Sequence, residues 1–383
     1  MKKYDLIVVG GGIIGTFHAY HALTAGKSVL LFEKDNYPVG ATVRNFGQVV
    51  PSGMANEWFE YGRRGLEIYT SIQQQFDISA RNNGSVYIAS DKDEQTLLHE
   101  LKAHYDTLDY PSQLLSKEAV LAKYPAIRSS YAEEGLFFPG EISVEPALMI
   151  HRIQAYVQEK FPAFAIRYNT PVIDCRDEVE GVSVMGTSQE RFYAAKAIIC
   201  NGLEFKLLFP DVYKQSGQVV SKLQMLRTVP MPEVQLEGNI LTGLTIRRYE
   251  SFEAHCPSFK TIATPDHYKE LKQWGIHILF KKAVDGSFII GDSHEYADVA
   301  HTDDLGFSIS DAINKLMLDE AARIVNFDVY KVASSWAGYY PQHPDNIVEK
   351  DISPNIHIRT GIGGKGMTAS IGYTEQSIQK IFA

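Results

Sequence analysis

The stretch Tyr4-Asp5-Leu6-Ile7-Val8-Val9-Gly10-Gly11-Gly12-Ile13-Ile14-Gly15 decides the fold. Leu6 to Val9 is an apolar, β-branched run of strand length, and Gly10, Gly12 and Gly15 keep the spacing G-x-G-x-x-G. With 29 glycines in 383 residues, the string alone arises by chance in roughly one such chain in six. Its setting gives it force. Ile13 to Ala25 has helical character and stops at Gly26, a C-cap residue. Ser28 to Phe32 is then a second apolar strand, leading into Glu33. Strand, glycine turn, helix, strand opens a parallel α/β sheet of the Rossmann type. Gly10 permits the tight turn, Gly12 lets a pyrophosphate approach the backbone, and Gly15 lets helix and strand pack closely. Free N–H groups at the helix start, around Ile13 and Ile14, face an anion. Glu33, with Lys34 beside it, accepts hydrogen bonds from ribose hydroxyls, and its charge disfavours a 2′-phosphate. The motif does not separate NAD from FAD.

Two further glycine-bearing stretches narrow the choice. Gly40-Ala41-Thr42-Val43-Arg44-Asn45-Phe46-Gly47-Gln48 follows the second strand, where an extended loop runs beside a bound dinucleotide. Asn45 and Gln48 bring donors and acceptors, Arg44 a charge, and Gly47 close backbone approach. Near the other end, Thr360-Gly361-Ile362-Gly363-Gly364-Lys365-Gly366-Met367-Thr368 lies between a strand, Ile356 to Thr360, and a helix, Thr368 to Phe382. Such a turn lets amides crowd an electron-rich ring, and a helix N-terminus or lysine suits the negative charge of a reduced flavin. This stretch disfavours an NAD-only dehydrogenase, the remaining option.

Between these ends the chain alternates helix and strand. Asn56 to Phe76, Asp91 to Leu108, Val144 to Phe161 and Asp311 to Ile324 read as helices. Gly84 to Ala89, Ile166 to Cys175, Gly181 to Met185 and Ala195 to Cys200 read as strands. From Gly217 to about Val299 the pattern is strand-rich with turn signals at Pro230, Pro232 and Asp285-Gly286. The expected architecture is a Rossmann-type FAD-binding domain with an inserted α+β substrate domain on an antiparallel sheet. Residues 1–80, 141–216 and 329–383 form the first, and 81–140 and 217–328 the second.

Together these stretches resemble the FAD-dependent amine oxidase family of D-amino-acid oxidase, glycine oxidase and sarcosine oxidase. Val144-Glu145-Pro146-Ala147-Leu148 is similar to the family's "V-x-P" segment and Ile198-Ile199-Cys200-Asn201-Gly202 to its "A-x-G" turn. Trp336-Ala337-Gly338-Tyr339-Tyr340-Pro341, with Pro344-Asp345, looks like the "W-A-G-x-R-P-x-T-P-D" segment over the flavin. The resemblance implies FAD, its pyrophosphate on Gly10 to Gly15 and its adenosine at Glu33, Lys34 and Val172. Arg44 to Gln48, Asn201, Gly202, Trp336, Gly338 and Gly361 to Thr368 would surround the rest. It also implies oxidation of a carbon bearing an amine, for which no dedicated catalytic acid or base is obligatory; none is assigned. Oxygen or another acceptor reoxidises the flavin.

One departure bears on substrate. Where family members acting on α-amino acids have an arginine to grip the carboxylate, this chain has Tyr340. Replacement cations and partners come from Ile246-Arg247-Arg248-Tyr249 and Gly291-Asp292-Ser293-His294-Glu295-Tyr296. Strand alternation would turn only one of the two arginines inward, and Arg248 with Tyr249 is the choice. Gln48, Arg248, Tyr249, His294 and Tyr340 are thus the candidate substrate contacts. The phrases Val43 to Gly47 and Gly291 to Tyr296 look most like a bacterial subgroup proposed to oxidise aminophosphonates, such as 1-hydroxy-2-aminoethylphosphonate. A flavin-dependent 2-hydroxy-acid dehydrogenase and a catalytically silent flavin-binding protein are the alternatives.

Composition bounds the partners. Formal charge is −9, with 46 acidic against 37 basic residues, which disfavours nucleic acid or an anionic membrane. Cys175, Cys200 and Cys256 form no CxxC pair and read as thiols of a reducing compartment. Met1-Lys2-Lys3 is not read as a signal peptide, because Asp5 and the glycines break its apolar core, and no run is long enough to span a membrane. A cytoplasmic enzyme of open oligomeric state is expected. Histidines such as His18 and His21, or His294 and His301, keep no metal-site spacing, so no metal is expected.

Overall fold

The computed structural model describes residues 3–383. The first strand, Lys3–Val9, lies in a sheet between Val29–Phe32 and Arg191–Ile199, parallel to both. Phe164–Arg167 extends it beyond Val29–Phe32, and Ile356–Thr360 beyond Arg191–Ile199, again parallel. Val348–Asp351 closes the edge antiparallel. The apolar runs of the central strands follow from burial on both sides. Leu6, Val8, Val29 and Leu31 pack on the helices Ile13–Thr24, Pro146–Lys160 and Gly366–Ile381. Ile7, Val9, Leu30 and Phe32 pack on the other face with Val172, Cys175, Val182 and Val184, from the antiparallel meander of Val172–Glu178 and Gly181–Gly186 that continues into Arg191–Ile199.

The last helix fits tightly between neighbours. A Cβ on Gly372 would stand 2.4 Å from the carbonyl oxygen of Tyr61 in the helix Asn56–Gln75, so only glycine lets these backbones approach.

A second sheet of nine strands runs from Glu295–Asp298 through Val219–Thr228, Phe288–Gly291, Leu279–Lys282, Asn239–Leu241, Ser85–Ala89 and Glu134–Phe138 to Gln113–Ser116, with Val332–Gln342 also paired to Val219–Thr228. One face carries Val86, Ile240, Phe280 and Ile290 against Ile313 and Met317 of the helix Asp311–Ile324. The other carries Tyr87, Leu241, Leu279 and Ile289 against Phe59, Leu97 and Leu101. The sheet is antiparallel except where Asn239–Leu241 runs parallel to Ser85–Ala89.

Three expectations change. Ile166 to Cys175 is not one strand: Asn169, at φ 52°, and Pro171 separate Phe164–Arg167 in the parallel sheet from Val172–Glu178 in the meander. The block from Gly217 to Val299 holds short helices as well as strands, Gly243–Ile246, Glu250–His255 and Lys269–Gln273. Val332–Gln342, expected with the cofactor side, pairs with Val219–Thr228 in the second sheet along most of its length. Among the described residues, no helix is long and apolar enough to cross a membrane.

Candidate cofactor and substrate cavity

A cavity of about 820 Å³ lies between the two sheets, at the carboxyl ends of the parallel strands. That edge is where open α/β sheets place ligands, and the volume suits a large one. Of the residues singled out in the sequence, all but Gly15, Trp336 and Gly338 line it.

At one end is the first glycine turn. Gly10 sits at φ 107°, and a Cβ there would lie 2.2 Å from the Cys200 carbonyl oxygen. A Cβ on Gly15 would stand 1.9 Å from the Gly10 carbonyl, so Gly15 packs turn against helix rather than facing the cavity. Gly12 caps the helix Ile13–Thr24 without a side-chain bond, leaving amides toward the cavity. One is already held: Ile13 N–H donates to Thr42 Oγ1 at 3.0 Å. Glu33, buried, accepts from Gly11 N at 2.9 Å and Asp35 N at 3.0 Å, one on each carboxylate oxygen. An ionised carboxylate has further lone pairs for a ribose. Lys34 is 3.8 Å from Glu204.

The loop from Gly40 to Gln48 is more self-contained than expected. Asn45 Nδ2 donates to the carbonyls of Ala41 and Thr42, and its Oδ1 accepts from Gly47 N. Its polar atoms therefore shape the loop before they meet any ligand. Gly47 is required for a different approach: at φ 76°, its Cβ would stand 2.2 Å from the Val144 carbonyl. Arg44 donates to the carbonyls of Val39 and Ala337. Its own carbonyl accepts from Trp336 Nε1 at 3.2 Å and Tyr340 Oη at 3.0 Å. Trp336 and Tyr340 thereby fasten the loop to the second sheet, and Gly338 makes room for the Tyr340 ring. Gln48 Nε2 reaches the Phe280 carbonyl. Asn201 is likewise turned inward, onto Tyr213 and the Glu204 carbonyl.

At the C-terminal turn, Gly361 and Gly363 adopt positive φ of 75° and 61°. The helix Gly366–Ile381 begins with no side-chain cap, and Gly366, Met367 and Thr368 line the cavity. Gly364 has nothing within 4 Å of where a Cβ would be. Thr368 Oγ1 accepts from Val50 N. Lys365, the lysine of this turn, is paired with Glu250 at 2.5 Å.

The remaining end belongs to the second sheet. The segment Ile246 to Phe252, read as strand, runs from the end of one short helix through Arg247, Arg248 and Tyr249 into the next, so a turn and not strand alternation separates the arginines. Arg247 is buried on Asp91 at 2.6 Å and Glu94 at 2.7 Å. Arg248 lines the cavity, its Nη1 on the Gly275 carbonyl at 2.7 Å and 3.3 Å from His294 Nδ1. Around it stand Tyr249, His277, Asp292 and His294. His277 Nε2 is 2.8 Å and His294 Nδ1 3.8 Å from Asp292 Oδ1. Burial pushes the His294 imidazole down to about 3 and lowers that of His277. Asp292 is held below the ordinary carboxylate range although it is buried, with Arg248 the standing positive charge beside it. Where no metal set was expected, His277, Asp292 and His294 bring three ligand-type atoms within 4.8 Å of one another. Sequence spacing conceals them, because antiparallel pairing of Leu279–Lys282 with Phe288–Gly291 creates the proximity. His18 and His21 pack instead on the last helix, bonded to Ser377 and the Ile371 carbonyl, and His301 pairs with Asp298.

The cavity fits a dinucleotide with a flat ring. It has an uncapped helix start at each end, glycine cradles that a Cβ would fill, and a buried carboxylate past the second strand. These features define an FAD-binding oxidoreductase on a two-sheet α/β scaffold. The chain belongs to the FAD dependent oxidoreductase family, whose model it matches over residues 5–375. It is 27% identical to a glycine oxidase of Bacillus licheniformis over 389 residues, covering 94% of this chain and 89% of that one. In fold it is similar to glycine oxidase from Geobacillus kaustophilus, with TM-score 0.77, 17% identity, and coverage of 100% and 95%. It is equally similar to L-alpha-glycerophosphate oxidase from Mycoplasma pneumoniae with FAD bound, at TM-score 0.77, 20% identity, and coverage of 100% and 95%.

Proposed function

We propose that this enzyme oxidises the C–N bond of a small amine that also carries an anionic group, with an aminophosphonate such as 1-hydroxy-2-aminoethylphosphonate as substrate. The amine part is supported by the resemblance to a glycine oxidase over nearly the whole chain. The anionic part rests on one observation. Tyr340, at the position of the carboxylate-gripping arginine of the resembling family, has its hydroxyl on the Arg44 carbonyl, while Arg248 approaches the cavity from another element. A guanidinium moved to a new wall accommodates an anion differently placed from an α-carboxylate.

Bound FAD supplies the electron-pair acceptor for the substrate carbon. The chain's residues do the rest. The amides of Gly12 and Ile14 and the Glu33 carboxylate would hold pyrophosphate and ribose, and Val172 would meet the adenine through its backbone. The turn Gly361 to Thr368 cradles the ring. Arg248 orients the anionic end, and the buried walls around Tyr249 and Leu279 exclude water from the reacting carbon.

The test is anaerobic bleaching of the purified yellow enzyme by a panel of aminophosphonates, glycine, sarcosine, D-alanine and 2-hydroxy acids. Aminophosphonates should reduce it fastest. Faster reduction by α-amino acids discards the phosphonate, and reduction by hydroxy acids alone discards the amine.

A further inference from the structure

The group formed by His277, Asp292 and His294 lines the same cavity from the second sheet, on segments other than the glycine turns Gly10–Gly15 and Gly361–Gly366. Asp292 is its centre. The residue is 7% exposed, and its Oδ1 is buried with no hydrogen-bond donor aligned to it: His277 Nε2, though 2.8 Å away, lies off the line of a directed bond. A buried carboxylate without a well-directed partner is costly and is retained where something else completes it.

The surroundings limit what that can be. Both imidazoles are disfavoured as cations by burial, and each has other company, His277 Nδ1 with Thr245 Oγ1 and His294 Nδ1 with the Gly275 carbonyl. The fixed cation nearby, Arg248, places its Nη1 on the same Gly275 carbonyl. Tyr249 and Tyr340 also face the carboxylate, and their phenols stay neutral because burial raises them. An ionised carboxylate only accepts hydrogen bonds, so its completing ligand must donate. A divalent metal meets the same carboxylate, but a guanidinium 3.3 Å from one of the two ligand nitrogens opposes it.

We infer that Asp292 is the binding residue for the substrate's ammonium, held in place by His277 and His294, with Arg248 taking the anionic end of the same molecule. The inference rests on the reading of this enzyme as an amine oxidiser. It adds a charge-selective wall: two opposite charges set side by side select a short zwitterion over a simple amine or a simple acid.

The test uses the FAD-loaded enzyme and ligands that cannot be oxidised, because their substituted carbon bears no hydrogen. One pair is 2-amino-2-methylpropylphosphonate and its 2-hydroxy counterpart; the other is 2-aminoisobutyrate and 2-hydroxyisobutyrate. Binding is read by calorimetry and by perturbation of the flavin spectrum. The wild type should bind the amino member of a pair about tenfold or more tighter than the hydroxy member, as a charge-assisted hydrogen bond requires. Asp292→Asn should bring the two within about twofold, leaving the hydroxy ligand unweakened, and Asp292→Glu should keep part of the preference. Arg248→Gln should weaken both members alike. A preference confined to the carboxylate pair supports Asp292 and removes the phosphonate. Absence of preference in the wild type, or its survival in Asp292→Asn, overturns the inference without touching the amine reading, which the bleaching assay decides. Binding that is lost to a chelator and restored by zinc or manganese makes the group a metal centre, and also overturns it. Should Asp292→Asn not retain FAD, the wild-type pairs and Asp292→Glu still decide.

Discussion

Neighbouring residues in this chain carry separable tasks. Arg247 and Arg248 are identical in kind and adjacent in sequence. Arg247 lies buried on Asp91 and Glu94, whereas Arg248 is exposed and lines the cavity. Removing one partner of a buried ion pair leaves uncompensated charge, so Arg247→Met should lower unfolding free energy by about 3 kcal/mol or more. Arg248→Gln should leave it within about 0.5 kcal/mol. Denaturant titration of both variants checks this, and similar losses would mean that Arg248 is structural. The glycines separate in the same way. Gly10→Ala meets the Cys200 carbonyl at 2.2 Å and must hold φ 107° with a side chain, so it should yield colourless, destabilised protein. Gly364→Ala meets nothing within 4 Å. It should therefore leave the stability of FAD-free protein unchanged yet weaken FAD affinity, because a bound ring alone could feel the added methyl. Unchanged affinity would place the ring elsewhere in the cavity.

Secondary elements were legible where their period was long. Asp311 to Ile324 and Ile356 to Thr360 have the limits expected, because caps, burial and periodicity agree there. Gly243–Ile246 and Glu250–His255 are too short to show a helical repeat, and their threonine, isoleucine and phenylalanine read as strand. The membership of Val332–Gln342 in the second sheet, and the meeting of His277 with Asp292, depend on strand pairing that no local pattern encodes. Glu141 belongs to the same class. It lies beside the strand Ile142–Ser143, and its Oε1 accepts from Ser52 N at 2.8 Å and Tyr110 Oη at 3.1 Å, joining that strand to the turn Pro51–Gly53. Burial pushes its carboxyl up from 4.5 to about 7. An acid whose folded pKa is raised binds its proton more tightly when folded. Its stabilisation is therefore complete below pH 4.5 and is lost as pH rises to 7. The loss is on the order of 3 kcal/mol. Glu141→Gln should be about as stable at pH 8 as at pH 5 relative to a wild type that weakens over that interval. Parallel pH dependence of the two proteins would show that other groups govern it.

On the scale of the molecule, the cavity is the seam between the two sheets, and segments from Val9 to Thr368 line it. The first sheet contributes strand ends and two uncapped helix starts; the second contributes Leu279, Tyr249, Asp292 and Tyr340. Direct fastenings across the seam do exist, among them Trp336 and Tyr340 on the Arg44 carbonyl and Lys365 on Glu250. The cavity joins segments brought together only by the folded chain, so on the proposed reading FAD would bind that form alone. A ligand bound by the folded form alone raises stability by RT ln(1 + [L]/Kd), about 2.7 kcal/mol at one hundred times Kd. Thermal unfolding should thus rise by several degrees as free FAD increases from near Kd to a hundredfold excess. The two sheets should melt together in the loaded enzyme, since one molecule bridges them. Flavin fluorescence, which reports release, should change at the same temperature as far-UV circular dichroism. A midpoint indifferent to FAD, or flavin released well before either sheet unfolds, would mean that the seam is closed by protein contacts and that the cofactor is a guest within it.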